Sequence, residues 1–171
     1  RATADQHQGG RSPVQVGVEL FGHAGIEADR EILHLALASL TAAGAREIHL
    51  ALGHIGIYRS LVEAAGLEGD AERALFAALE LKSPGAIAER VAESVADPTL
   101  AEMFLALGRL HGGVEVLDEA REAFAEAPAA VGAALEQLRA LHLGVQASHP
   151  EVEAYFDLGE LRGYAYHTGM M

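Results

Sequence analysis

A long block with helical periodicity constrains the fold more than any other feature of the sequence. From about residue 54 to 146 the pattern is helical, and Val131, Leu135 and Leu138 mark the longest helix. Within the block, Ser83-Pro84 and Asp97-Pro98 each place a capping side chain before a proline at the first helical position. The block therefore predicts a punctuated series of helices.

Strand-like segments lie on both sides of this block. They are VQVGVELF (14–21), REIHLAL (46–52), EAYFDL (153–158) and LRGYAYHT (161–168). A helix over about 26–43 separates the first two, with acidic residues in its first turns. This order predicts one α+β domain over residues 1–171, with a helical insertion at about 68–146.

The charge of the chain limits its partners. At pH 7 the net charge is −13, from 12 Lys and Arg against 25 Asp and Glu, and the basic residues are scattered. Proteins that bind nucleic acid usually present a basic patch, so nucleic acid is disfavoured, although a pocket for one nucleotide stays open. No apolar run approaches the roughly 18 to 20 residues that span a bilayer, so no membrane partner is expected. The absence of cysteine excludes disulfides and agrees with a cytoplasmic protein.

Motifs for common metal and enzymatic chemistry are absent. The nine histidines include no HExxH, and His49 and His54 are not one helical turn apart. There is no phosphate-binding GxxxxGK and no GxSxG nucleophile motif. The GHxG runs at 22–25 and 53–56 are typical of turns at strand ends. The sequence thus predicts no metal site, no cofactor and no catalytic residue.

Two polar strand faces remain as candidates for function. Gln15 and Glu19 lie on the first strand, and the last strand offers Arg162 with Tyr164, Tyr166 or His167. A carboxylate holds an ammonium group, a guanidinium binds a carboxylate in bidentate fashion, and rings hold a side chain. Together these groups suit a small zwitterion. Two other interpretations stay open, a solvated sheet face and a structural Arg–Glu pair across the sheet.

The first of these segments carries a family resemblance. VQVGVELFGHAGIEADREILHLA resembles the strand-turn-helix of histidyl-tRNA synthetase-like catalytic domains. In that family the residues at the positions of Gln15 and Glu19 contact histidine. Arg1, fourteen residues before Gln15, is similar in spacing to the family's ATP-contacting arginine, which implies a nucleotide or phosphate contact. The resemblance implies a class II aminoacyl-tRNA synthetase-like fold, a mostly antiparallel sheet flanked by helices.

The last segment carries the second half of the resemblance. LRGYAYHTG (161–169) is similar to the family's histidine-binding Arg-Gly-Leu-Asp-Tyr-Tyr stretch. Arg162 and the glycine after it match, and Tyr166 matches the first tyrosine. Ala165 replaces an acid that true synthetases carry, and His167 replaces the second tyrosine.

With these two replacements, and with ALGHIGIYRSL at 51–61, the sequence resembles the synthetase-like regulatory subunits of ATP phosphoribosyltransferase. That resemblance implies a non-catalytic subunit required, with the short-form catalytic subunit, for the first step of histidine biosynthesis. It also implies feedback through free histidine in the inherited pocket, and self-association as a dimer. The alternatives are a genuine histidyl-tRNA synthetase and a stand-alone amino-acid-binding module.

The resemblance also bears on the extent of the chain. The family's catalytic-like domain begins with a dimer-forming first motif and ends with a third motif, and residues 1–171 contain neither. We therefore expect a fragment of the full domain, whose strand edges need partners because unpaired buried backbone groups are costly.

Overall fold

The computed structural model describes residues 16–164, 166 and 168–171. Its elements, in chain order, are α1 (Ile26–Ala42), β1 (His49–Leu52), α2 (Ile55–Ala65), α3 (Gly69–Glu80), α4 (Pro84–Ser94), α5 (Pro98–Leu107), β2 (His111–Gly112), α6 (Val116–Ala123), α7 (Ala129–Ser148) and β3 (Glu153–Asp157).

Local sequence signals set several helix boundaries. Asp97 caps α5, because its carboxylate accepts hydrogen bonds from the backbone N–H groups of Thr99 at 2.8 Å and Leu100 at 3.2 Å. Helix α2 ends at Gly66, whose φ of 61° lies in the left-handed region that glycine adopts without strain. The prediction that Ser83 caps α4 in the same way is wrong, because its side chain makes no capping hydrogen bond.

The main core lies among helices α2 to α7 and the sheet. Tyr58 of α2, Phe104 of α5 and Leu138 of α7 are fully buried in it. Full burial of a large apolar side chain contributes roughly 1.5–3 kcal/mol, so this core stabilises the elements around it. A smaller cluster connects α1 to α7 and the start of β3, and it consists of Leu37, Val145 and Val152.

A three-stranded mixed sheet, in the order β1-β3-β2, joins the two ends of the helical block. β1 is parallel to β3, with His49 opposite Glu153 and Leu52 opposite Phe156, and β2 is antiparallel to β3. Leu52 and Phe156 face the core, whereas His49 and Glu153 are exposed, as strand alternation requires. The resemblance implied a mostly antiparallel sheet; within the described residues the sheet is mixed.

Six helices separate β1 from β3, as the helical periodicity of this block predicted. The strands predicted over 46–52 and 153–158 are confirmed in shorter form as β1 and β3. The predicted helix over about 26–43 is confirmed as α1. Periodicity alone therefore placed most of the elements in chain order.

The strand predicted over 14–21 is wrong for the residues that the structure describes. From residue 16 to 20 the chain has no strand assignment and pairs with no described strand. Val16 is 93% exposed and Phe21 85% exposed, so the alternating valines do not form a buried face. A strand requires a partner to accept and donate its backbone hydrogen bonds, and the described part of the sheet provides none here.

The strand predicted over 161–168 is also wrong in its described residues, which form tight turns. The Tyr164 N–H donates to the Leu161 carbonyl at 3.1 Å, and the Tyr166 N–H donates to the Gly163 carbonyl at 2.8 Å. Gly163 has a φ of 78°, which extended backbone does not allow. Local hydrogen bonds thus satisfy this backbone without a neighbouring strand.

Candidate functional site

A short antiparallel bridge beside the sheet brings two sequence motifs together. Gly53 and Met171 exchange backbone hydrogen bonds of 3.0 and 2.9 Å, and the Ile55 N–H donates to the Gly169 carbonyl at 3.1 Å. His54 forms an isolated bridge with Met170. The GHIG turn after β1 therefore lies against the end of the LRGYAYHTG motif, and residues of this contact line two cavities.

The first cavity, which we call the Arg162 cavity, has a volume of about 610 Å³. Its charged lining residues are Asp157, Glu160 and Arg162. Lys82 forms an ion pair with Asp157, and Nη2 of Arg162 lies 2.8 Å from Oε2 of Glu160. The cavity thus presents both signs of charge. Arg162 in its lining and Lys82 nearby each lie beside a carboxylate.

Glu160 is held by more than this one ion pair. Its Oε1 also accepts a hydrogen bond from the Arg162 backbone N–H at 2.9 Å. The hydrogen bond from the Arg162 side chain lowers the pKa of Glu160, so the carboxylate is ionised at neutral pH. The Glu160 side chain is 23% exposed, whereas that of Arg162 is 81% exposed.

The second cavity, which we call the His54 cavity, has a volume of about 480 Å³. Its polar lining includes His23, Asp29, His54 and Gln137. His54 is only 7% exposed and is the one buried polar or charged residue found in the described part of the chain. Both helices α1 and α2 begin at this cavity, because their N-cap residues are Gly25 and His54.

The contacts of His54 assign its protonation. Nδ1 accepts a hydrogen bond from the Gly56 N–H at 3.1 Å, so this nitrogen carries no proton. Nε2 lies 2.9 Å from Oε1 of Gln137 and therefore donates its proton to that oxygen. Burial lowers the pKa of His54, which keeps the ring neutral at pH 7.

Tyr164, which lies in the turn between Arg162 and Tyr166, is held by an aromatic cluster and by two charged side chains. The Tyr164 hydroxyl donates to Oε1 of Glu72 at 2.7 Å, and the Arg59 guanidinium lies 4.6 Å from the centre of the Tyr164 ring. Tyr58 and Phe76 each place a ring 5.4 Å from the same ring. Burial, together with the bond to Glu72, raises the pKa of Tyr164 to about 12, so its hydroxyl remains a donor at neutral pH.

The structure describes three of the six residues predicted to bind a ligand. Glu19 is exposed, Arg162 lines the Arg162 cavity, and Tyr166 lines the His54 cavity with 89% of its surface exposed. Arg162 and Tyr166 thus line different cavities. Gln15, His167 and Arg1 lie outside the described residues.

Several residues of these cavities were not among the predicted site residues, and Glu160, His54 and Gln137 are the ones with the most defined contacts. Glu160 had a local signal, because it stands two positions before Arg162. In the sequence His54 is only part of a turn motif, whereas in the structure its ring is buried and hydrogen-bonded to Gln137. Gln137 had no local signal, since its partner His54 is 83 residues away in the chain.

Two further properties of the described residues bear on function. They contain no group of three or more His, Cys, Asp or Glu side chains arranged to hold a metal ion. None of the helices in residues 16–164 combines the length and the apolar character that crossing a bilayer requires.

Comparison with known proteins identifies the family. A family model described as histidyl-tRNA synthetase matches residues 1–171. The chain belongs to this family. Within the family, it is 61% identical over 171 residues to an ATP phosphoribosyltransferase regulatory subunit from Chromohalobacter salexigens, an alignment that covers 100% of this chain and 44% of that protein. The chain spans about two fifths of the length of the curated relatives that it matches.

Solved structures of family members share the fold. The crystal structure of an ATP phosphoribosyltransferase regulatory subunit/histidyl-tRNA synthetase from Bacillus halodurans matches with a TM-score of 0.72 and 25% identity, covering 87% of this chain and 39% of that one. An ATP phosphoribosyl transferase (HisG:HisZ) complex from Thermotoga maritima matches with a TM-score of 0.64 and 16% identity, covering 85% of this chain and 50% of that one. These similarities confirm the predicted class II synthetase-like α+β fold.

Proposed function

We propose that the full-length protein is a non-catalytic regulatory subunit of ATP phosphoribosyltransferase. It would be required, with the short-form catalytic subunit, for the first step of histidine biosynthesis. One observation carries the proposal: the 61% identity to a regulatory subunit extends over the whole of this chain. The replacement of the family's acid by Ala165 and of its second tyrosine by His167 supports the same conclusion.

The ligand pocket belongs to this proposal. Gln15, Glu19, Arg162, Tyr166 and His167 would surround free histidine, with Arg162 binding its carboxylate and Glu19 its ammonium group. Because Arg162 and Tyr166 line different cavities, this arrangement would require Tyr166 to move toward Arg162 when histidine binds. Support comes from the mixed charge of the Arg162 cavity, which suits a zwitterion. Feedback would further require histidine to bind two states of the assembly with different affinities.

The proposal also covers the domain organisation of the chain, a nucleotide contact, the partners and the location of the protein. Residues 1–171 would form one synthetase-like domain with a helical insertion at about 68–146, and Arg1 would contact a nucleotide or phosphate. The net charge of −13 favours a protein partner over nucleic acid, and the protein would act in the cytoplasm as a dimer within a hetero-oligomer.

Two assays on the full-length protein test this function. We expect no histidine-dependent ATP–pyrophosphate exchange and no aminoacylation of tRNA. We also expect co-purification with the short-form catalytic subunit, and condensation of ATP with phosphoribosyl pyrophosphate only when both subunits are present. Exchange activity that depends on histidine would overturn the regulatory function.

A genuine histidyl-tRNA synthetase is the second candidate, because the matching family model carries that description. The same exchange assay separates the two functions. An enzyme would activate histidine without the catalytic subunit, whereas a regulatory subunit would not.

A further inference from the structure

Glu160 and Arg162 form a compact unit at the edge of the Arg162 cavity. One carboxylate oxygen of Glu160 accepts from the Arg162 backbone N–H at 2.9 Å, and the other accepts from the Arg162 guanidinium at 2.8 Å. Both contacts join residues only two positions apart, so they exist without any contribution from a ligand. The carboxylate of Glu160 therefore takes one of the guanidinium donors that the carboxylate of a ligand would also use.

The two partners differ in how firmly they are held. The Glu160 side chain is mostly buried, and a Cβ added to Gly53 would lie 3.3 Å from the Glu160 Cβ, which shows how closely the stem packs there. The Arg162 side chain is 81% exposed. A fixed carboxylate and an exposed guanidinium allow the arginine to leave while the glutamate stays in place.

The charges next to Glu160 and Arg162 also favour exchange of the Arg162 ion pair. Lys82 forms an ion pair with Asp157, which also lines the cavity. Both Arg162 and the nearby Lys82 are therefore beside carboxylates, and an incoming anionic group would compete with one of these carboxylates for the positive charge. The bond between Arg162 and Glu160 is the more exposed of the two and costs less to exchange, because exposed ion pairs contribute little.

We infer that Glu160 is a positioning residue that competes with ligand for Arg162 and holds the guanidinium in a ligand-free position. The inference rests on the proposed function, in which Arg162 binds the carboxylate of histidine. The carboxylate of the ligand and that of Glu160 then compete for one guanidinium. The affinity for ligand depends on how much more strongly Arg162 binds the ligand than it binds Glu160.

The substitution Glu160→Gln tests the inference with little change in shape. The amide oxygen still accepts from the Arg162 backbone N–H, whereas the negative charge beside the guanidinium is lost. Glu93→Gln is the matched control, because Oε2 of Glu93 lies 2.6 Å from the Arg90 guanidinium in an ion pair on α4, away from the cavity. Thermal unfolding of both full-length variants verifies that they fold.

The first measurement does not depend on any ligand. Phenylglyoxal, a reagent selective for arginine, is applied to each full-length protein and the modified arginines are followed by mass spectrometry. We expect Glu160→Gln to accelerate modification of Arg162 about threefold or more and to leave Arg90 unchanged, because the competing charge is gone. Equal rates at Arg162 in the wild type and in Glu160→Gln would overturn the inference.

The second measurement is calorimetry of the full-length protein with free histidine. We expect Glu160→Gln to tighten binding by about three- to tenfold, and Glu93→Gln to leave it unchanged. Weaker binding in Glu160→Gln would assign Glu160 to direct contact with the ligand and would overturn its role as a competitor. If the wild type binds no histidine, the proposed pocket fails, while the rate of arginine modification still decides whether Glu160 holds Arg162.

Discussion

Nε2 of His54 lies 2.9 Å from Oε1 of Gln137, a side chain 83 residues later in the chain. The same ring accepts the Gly56 N–H at its other nitrogen and so caps α2. One buried imidazole therefore ties the turn after β1 both to its own helix and to α7. Backbone hydrogen bonds of Gly53 and Ile55 to Met171 and Gly169 then hold the same turn against the end of the LRGYAYHTG motif.

Removal of the amide at position 137 should destabilise the protein. Gln137→Leu leaves Nε2–H of His54 without its protein partner, and we expect a loss of about 0.5–1.5 kcal/mol in the free energy of unfolding, because Gln137 is exposed and the hydrogen bond only partly buried. Urea unfolding followed by circular dichroism measures the loss. Ala133→Leu, at an exposed position on the same helix, is the control, and equal losses in both variants would contradict the importance of the hydrogen bond.

Stability should fall in acid because of His54. Burial lowers the folded-state pKa of this residue below its ordinary value of 6.5, so the unfolded chain takes up the proton first as the pH falls. The contribution of neutral His54 to stability is complete above about pH 6.5 and is lost as the pH falls through the folded-state pKa. Unfolding free energies measured from pH 8 to pH 5 should therefore decrease.

The variant His54→Gln should make this dependence on pH shallower. His142, whose pKa burial also lowers, contributes in the same direction, so some slope should remain. An unchanged slope in His54→Gln would show that other groups cause the loss of stability in acid.

The proposed ligand pocket predicts the effect of two substitutions. Arg162→Ala removes the group that binds carboxylate, and Glu19→Ala removes the group that binds ammonium, so each should weaken histidine binding at least about tenfold. Calorimetry on the full-length protein measures the affinity. Arg90→Ala, at an ion-paired position on α4, should have no effect, and unchanged affinity in both pocket variants would discard this placement of the ligand.

The bond between Tyr164 and Glu72 should stabilise the turn that follows Arg162. Tyr164→Phe keeps the ring contacts and removes the 2.7 Å hydrogen bond, which should cost about 1–2 kcal/mol because the acceptor is charged and partly buried. Thermal and urea unfolding measure this cost. Tyr166→Phe removes a hydroxyl from a residue that is 89% exposed and should have little effect on stability.

Two helices that begin with proline offer a paired test of capping. Asp97→Ala removes a side chain that accepts from two backbone N–H groups and should cost about 0.5–2 kcal/mol. Ser83→Ala removes a side chain without a capping hydrogen bond and should change stability by less than about 0.5 kcal/mol. Similar losses in the two variants would show that the hydrogen bonds at Asp97 are not the cause.

The helices could be predicted because their signals are local. Proline at the start of α4 and α5, and apolar spacing along α7, depend only on residues within a few turns of one another. β3 could be predicted for a similar reason, since buried Phe156 follows exposed Tyr155 in an alternating pattern. Chain order and fold class followed from these signals and from the family resemblance.

Strand pairing and the cavities could not be predicted in the same way. The alternation from Val16 to Leu20 tells which side chains share a face, but it does not provide a partner strand. The turn at Gly163 depends on a left-handed backbone that the resemblance did not reveal. His54 and Gln137 meet only after α7 has packed against α2.

The parallel pairing of β1 with β3 has a consequence for how the chain reaches its final shape. Roughly a hundred residues separate the paired strands, and closing so long a loop in a disordered chain carries an entropic cost that local contacts avoid. Helix formation and packing between the strands shorten that effective loop before the strand ends meet. We therefore expect β1 and β3 to pair late in folding, after the helices between them have formed and packed. The turn that carries Arg162, which follows β3, should reach its final position at the same late stage.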